Sequence, residues 1–353
     1  MTQYRKATLA LGAVVALLAS ASFLRGQPAQ NDPNSAPNPY HIVDGWAKLP
    51  AGRHFGQVIS VKPDRDGQHI WAFERCGGRF CTDSPLSPIM EFDADGKLVK
   101  NFGAGLFVFP HGLFVDKRDN IWVTDNDSDK APGKGDEVIE LSQDGKVLRR
   151  MGKAGVEGEG PDVFNKPTDV LIAPNGDIFV ADGHGNHRIV KFDPHGKFIL
   201  QWGTKGSGSG QFSTPHSLAM DAQGRLFVAD RENNRVQIFD QNGKFIADWR
   251  QFGRPSGVFI DKHDMLYVTD AQSNDATNPG FKRGIRIGSA KTGAVAAFIP
   301  IAYPDTPTPQ GTGRESNLGA EGVAADDAGN VYGAETGGFG AAGGLILRKY
   351  AKN

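Results

Sequence analysis

Sulfur and charge imbalance are scarce in this chain. Two cysteines and five methionines occur in 353 residues, and 39 Lys+Arg stand against 40 Asp+Glu, a formal net charge of −1. Two thiols cannot build a four-ligand zinc knuckle. Near-neutrality without a basic stripe removes the electrostatic footprint of a nucleic-acid binder. There is no long amphipathic helical pattern, and beyond the N-terminus no run is apolar and long enough to cross a bilayer. Glycine, by contrast, is abundant, at 46 residues. It supplies tight turns and close backbone approaches.

The glycines punctuate a repeat. The stretch Thr214 to Asp240, TPHSLAMDAQGRLFVADRENNRVQIFD, reads as short apolar strands separated by turn signals. With Lys244 to Trp249 it makes a four-stranded antiparallel meander. The pattern returns from Phe109 to Asp125, Lys166 to Asp182, Arg254 to Asp270 and Gly319 to Glu335, with a worn first copy from Gly56 to Glu74. Six copies over residues 40–353 give about 52 residues each, a propeller-blade period. A lone meander cannot bury both faces, whereas a closed ring packs each sheet between two neighbours. The expected fold is therefore all-β, a six-bladed β-propeller. The last copy lacks a fourth strand, and His41 to Leu49 resembles one. An N-terminal strand should thus close the ring and remove two sheet edges.

Outside the ring, residues 1–21 read as a signal peptide. Arg5 and Lys6 precede an apolar run from Leu9 to Leu18, and Ala19-Ser-Ala21 forms a small-residue cleavage site. Residues 22–39, rich in Pro, Asn and Ser, read as a disordered spacer. Export to the periplasm or outside favours a bridge between Cys76 and Cys81. After cleavage no part of the chain is expected in a membrane. Two polar insertions, Asp127 to Asp136 and Tyr303 to Asn317, should lie as loops over one face.

Aligning the copies exposes a slot fourteen residues before the acid that ends each second strand. It holds His111, Thr168, His216, Ser256 and Glu321, with Gln57 in the worn first copy. The slot opens the innermost strand, so its residues face the central channel. Histidine is 9 of 353 residues yet takes two of the six slots. His111, His216 and Glu321 occupy blades two, four and six, a three-fold arrangement about the axis. Two imidazoles and a carboxylate leave coordination positions open on zinc or iron(II). The plainer alternative is a polar lining that hydrogen-bonds water. The acids themselves (Glu74, Asp125, Asp182, Asp230, Asp270, Glu335) recur in every blade and should be structural, accepting backbone N–H bonds. The residues after them differ. Arg75 and Arg231 can clamp a carboxylate, and His184 can take a proton; surface salt bridges or solvated loops are the alternatives for these three.

The motifs Pro110-His-Gly-Leu113, Pro215-His-Ser-Leu218 and Ala229-Asp-Arg-Glu-Asn233 resemble NHL-repeat propellers, and within those the peptidyl-α-hydroxyglycine α-amidating lyases. The resemblance covers about residues 55–340. It implies zinc on His111 and His216, with the third family histidine replaced by Glu321. It implies substrate binding by Arg75, a second active-site arginine at Arg231, and His184 where the family has a catalytic tyrosine. Gly322 stands where the family has a calcium carboxylate, which makes calcium doubtful. The implied reaction cleaves a carbinolamide C–N bond at a peptide C-terminus and releases glyoxylate. The alternatives are a non-catalytic periplasmic propeller that binds a ligand or protein partner, and a propeller lactonase or antibiotic-ring lyase.

Overall fold

The computed structural model describes residues 32–129, 131–301, 319–336 and 346–353. The signal-peptide expectation and the insertion from Tyr303 to Asn317 lie outside them. The described residues form six four-stranded antiparallel sheets in a ring, each a blade whose first strand is innermost. The inner strands are Val58–Pro63, Pro110–Val115, Asp169–Ile172, Pro215–Met220, Pro255–Ile260 and Ala320–Ala325. In the sixth sheet the strand order runs from Ala320–Ala325 through Val331–Glu335 and Leu347–Lys352 to Tyr40–Val43. The N-terminal strand therefore closes the ring, with Tyr40 opposite Lys352 and Val43 opposite Lys349. It is shorter than the His41–Leu49 segment suggested. The chain turns at Gly45, whose φ is +61°, and sends Trp46 into the core between blades six and one.

Part of the presumed spacer is ordered. Asn34 accepts from the Lys282 N–H at 2.8 Å and from Arg286 Nη2 at 2.7 Å, and Phe298 N donates to the Pro37 carbonyl. Residues 32–39 thus strap the outer edge of blade five, with Asn34 accepting from a guanidinium that is fully buried. Composition alone missed this, since the contacts are to residues some 250 positions away.

Second strands are buried but for Met265 at the start of the one in blade five, whereas fourth strands such as Phe245–Trp249 alternate between half-buried and exposed. Apolar side chains collect into six clusters, each between neighbouring blades. One device recurs before the inner strands. Phe107, Phe164, Phe212 and Phe252 each sit four residues ahead of the slot and are at most 1% exposed. Truncating such a wedge to alanine costs about 3–5 kcal/mol. The residue after the first three wedges donates its N–H to the acid ending the second strand, and behind Phe252 it is Arg254 N that reaches Asp270 Oδ2, at 3.1 Å. Val108 N meets Asp125 Oδ2 at 2.9 Å, Asn165 N meets Asp182 Oδ1 at 2.9 Å, and Ser213 N meets Asp230 Oδ1 at 2.7 Å. The repeated acids are structural, as expected. Wedge and acid together pin the start of the inner strand and so hold the slot at the axis.

Burial has a cost that pH reveals. It pushes Asp125 and Glu335 up to about 7 and Asp182 up to about 6, despite hydrogen bonds that pull the other way. Between the unfolded carboxyl value and these folded values the native state holds more protons than the unfolded chain. Stability therefore falls as pH rises through that window. Lowering the pH from 8 to 6.5 should add about 1 kcal/mol for each carboxyl near 7. The three buried histidines of the bore oppose this, since their depressed values cost stability as the unfolded chain takes up protons. The carboxyl share is therefore read as the difference between wild type and Asp125→Asn. Scanning calorimetry of both across that range checks its sign: wild type should gain more than Asp125→Asn as the pH falls.

Candidate functional site

The inner strands bring the slot residues to a common bore. His111, Thr168, His216, Ser256 and Glu321 all line one axial cavity. At its mouth three imidazoles meet. Ring centroids are 4.8 Å apart for His111 and His216, 5.1 Å for His111 and His184, and 5.4 Å for His184 and His216. Ligand-capable nitrogens of all three lie within 4.8 Å of one another, the one such His/Cys/Asp/Glu group among the described residues.

The donor set fits a metal. His111 Nδ1 lies 2.6 Å from the Thr168 carbonyl oxygen and His216 Nδ1 lies 2.7 Å from that of Ser256. A carbonyl only accepts, so both Nδ1 atoms carry the hydrogen. His184 Nδ1 lies 3.1 Å from Asn126 Oδ1. Each ring is thus held through Nδ1 with Nε2 as the lone-pair nitrogen, the usual outer-shell arrangement of ligating histidines, and at His184 that lone pair also meets Arg231 Nη2 at 3.5 Å. Burial holds all three well below the usual histidine value, helped by the charge of Arg231 and, for His111 and His184, of Arg75. Neutral imidazole is the form that ligates.

The membership of this trio differs from the set drawn from the sequence. His184, expected as a proton acceptor, stands with His111 and His216. Glu321, expected as third ligand, puts Oε2 3.8 Å from His216 Nε2 and 3.7 Å from Arg231 Nη1, with Gln272 Nε2 3.5 Å from its other oxygen. The clustered imidazoles therefore come from consecutive blades two, three and four. The loop after Asp182 explains the change. A Cβ at Gly183 would sit 1.9 Å from the Pro215 carbonyl, and one at Gly185 would sit 1.9 Å from Asn165 Oδ1. Only glycine lets the loop press against blade four, and His184 between them is turned inward. His187, by contrast, accepts from Thr214 N and is not part of the trio.

The two arginines stand beside it. Arg75 is 5% exposed. Its Nε donates to the Pro110 carbonyl at 3.1 Å, its Nη1 to Gln57 Oε1 at 2.5 Å, and its guanidinium stacks 3.6 Å from the centroid of the Phe109 ring. Burial pulls it down to about 9, against the favourable pull of Glu321. Such a desolvated cation gains from any anion brought to it. A disulfide joins Cys76 to Cys81 with the Cα atoms 5.0 Å apart. It closes the loop that follows Arg75, and Cys81 N is tied to the Val108 carbonyl of the next blade. Arg231 opens a single 3-10 turn, Arg231–Asn233, that ends at Asn234 in the left-handed region. Its Nη2 lies 3.5 Å from His184 Nε2.

Deeper in the bore lie residues the slot alignment passed over. Asp169 Oδ2 accepts from Ser217 Oγ and Leu218 N, each at 2.9 Å. Lys62 enters from blade one, its ammonium pulled down by burial and pushed back by Asp169. Asn126 was also missed. It follows Asp125 just as Arg75 follows Glu74, so the rule that found the arginines would have found it.

Sequence and fold comparisons agree with the propeller fold. The NHL repeat model matches residues 164–192 and 212–239. A Caenorhabditis elegans protein named probable peptidyl-alpha-hydroxyglycine alpha-amidating lyase is 36% identical over 203 residues, covering 52% of this chain and 56% of that protein. The Mus musculus peptidyl-glycine alpha-amidating monooxygenase is 39% identical over 203 residues, covering 52% of this chain and 20% of that protein. The chain thus matches little more than half of the worm protein and a fifth of the mouse one. Among solved structures, a gluconolactonase of Xanthomonas campestris superposes with a TM-score of 0.57 over 89% of this chain and 90% of that one. Its identity is 14%, so it shares the fold alone. The chain is a six-bladed propeller with NHL repeats, and it resembles the amidating lyases.

Proposed function

From that likeness and the site beneath it, we propose that the chain is an exported, metal-dependent carbon–nitrogen lyase acting on peptides that end in α-hydroxyglycine. The carrying observation is the convergence of three Nδ1-anchored imidazoles beside two arginines in one bore. His111, His184 and His216 would hold a divalent metal, zinc or iron(II). Bound there, it would supply Lewis acidity toward a substrate oxygen and make the hydroxyl easier to deprotonate.

The chain's own residues do the rest. Arg75 takes the substrate carboxylate, since its charge is buried and its planar fork suits bidentate pairing. Arg231 stands between His184 and Glu321 and stabilises negative charge on either side. Glu321, whose Oε2 lies 3.8 Å from His216 Nε2, is the proton acceptor, a role the sequence had given to His184. The hydroxyl proton leaves, the carbon–oxygen bond becomes a carbonyl, and the C–N bond breaks. The amide nitrogen takes a proton, so the products are a peptide amide and glyoxylate, with no oxidant or reductant consumed. The N-terminal segment and the disulfide support export to the periplasm or beyond.

The test is glyoxylate release from an N-acylated peptidyl-α-hydroxyglycine by purified protein, with and without added zinc or iron(II). Metal-dependent release is expected. Metal-loaded protein that leaves the substrate intact would overturn the reading.

A further inference from the structure

Of the three anchored imidazoles, His184 is held differently. His111 and His216 give their Nδ1 hydrogens to backbone carbonyls of the neighbouring blade, which no substitution removes. His184 gives its hydrogen to a side chain, Asn126 Oδ1 at 3.1 Å. Asn126 is 2% exposed and belongs to blade two, while His184 belongs to the loop of blade three. The orientation of that amide is fully determined. Nδ2 donates to the Lys166 and Pro167 carbonyls, both at 2.9 Å. Both amide hydrogens are thus engaged, and only the oxygen is left to face the ring. The backbone supports the same geometry, because Asn126 N donates to the Phe109 carbonyl and His184 N donates to that same Lys166 carbonyl.

We propose that Asn126 is a positioning residue for metal binding. It holds His184 as the Nδ1–H tautomer with Nε2 directed to the cluster, and so selects three imidazoles over two imidazoles and a carboxylate. The proposal rests on the metal reading above and extends it. An amide that could rotate would let its NH₂ meet Nδ1 instead. Nδ1 would then have to accept, the hydrogen would move to Nε2, and the third lone pair would be lost. The two carbonyls from Lys166 and Pro167 prevent that rotation. Without Asn126 the nearest alternative third donor is Glu321, whose carboxylate favours harder cations than an imidazole does. Asn126 therefore governs which metal the site prefers as well as how tightly it holds it.

The experiment has two arms. In the first, zinc and manganese(II) affinities are measured by chelator competition for wild type, Asn126→Leu, Asn126→Ala and His184→Ala. Loss of an outer-shell partner typically weakens binding 10–100-fold. Asn126→Leu should weaken zinc by about that factor and manganese far less. The double variant Asn126→Leu/His184→Ala should be no weaker than His184→Ala alone, since both remove the same ligand. Wild-type zinc affinity in both Asn126 variants, or penalties that add in the double variant, would overturn the proposal. The second arm uses metal-free wild type and needs no variant to fold. Imidazole nitrogen chemical shifts should place the His184 proton on Nδ1, and a proton on Nε2 would overturn the proposal. Protein that shows the Nδ1–H tautomer yet binds no metal would sink the metal reading while leaving the role of Asn126 in orienting His184 standing.

Discussion

His184→Ala should strip bound metal as thoroughly as His111→Ala or His216→Ala, weakening zinc by about 100-fold or more, beyond the usual loss for outer-shell partners. Glu321→Gln should leave zinc content close to wild type while abolishing most turnover. The argument is geometric. Three imidazole rings lie with centroids 4.8–5.4 Å apart, each fixed through Nδ1. The carboxylate of Glu321 is engaged toward Arg231 and Gln272. Elemental analysis of each purified variant, alongside glyoxylate release, separates the ligand from the proton acceptor. The reverse pattern, with zinc lost in Glu321→Gln and kept in His184→Ala, would restore the ligand set drawn from the slot alignment.

The makeup of the imidazole cluster marks where the sequence stopped being legible. The fold was readable because a propeller repeats its instructions: the turn glycines, the alternating strands and the acid after each second strand recur about every 52 residues. Ring closure was readable too, since the missing fourth strand of the last copy had a match at the N-terminus. The slot was readable because an inner strand has one end at the axis, and five of its members do line the bore. The alignment could not show how far a loop bends. His184 lies outside the slot, and its entry depends on two glycines pressed against Pro215 and Asn165 from elsewhere in the chain. Three-fold symmetry pointed to blades two, four and six. Close packing across adjacent blades placed the third imidazole in blade three instead. The strap made by residues 32–39 escaped for a related reason. Its worth lies in giving the buried Arg286 an acceptor, a need that appears only once blade five is assembled.

Glu321 and the two arginines form one electrostatic unit, and this bears on how substrate charge is handled. Arg75 is pulled down to about 9 by burial and its charge is favoured by Glu321. Proton uptake by Glu321 during turnover would remove that support just when the substrate carboxylate supplies a replacement. Among these three side chains one positive charge is in excess before substrate arrives, and the substrate carboxylate is the anion that meets it. A carboxylate in this environment interacts more strongly than at the surface, because little water screens it.

Arg75→Ala is accordingly expected to lower kcat/KM on a carboxylate-ended substrate by about 10³-fold, the order set by removing one partner of a buried charge pair. Most of the loss should appear in KM if the carboxylate is held equally in ground and transition states, and in kcat if Arg75 also tightens as the C–N bond opens. Arg75→Lys should recover only part. Two guanidinium donors are used on Pro110 and Gln57, and the face is stacked on Phe109. An ammonium offers neither the planar face nor the fork. Metal content should be unchanged in both variants, which separates this effect from loss of the imidazole site. The decisive comparison uses a substrate whose terminal carboxylate is replaced by a neutral carboxamide. Wild type should turn it over slowly, and Arg75→Ala should be no slower. A full 10³-fold penalty on that neutral substrate would mean that Arg75 supports the structure of the bore and does not bind the carboxylate.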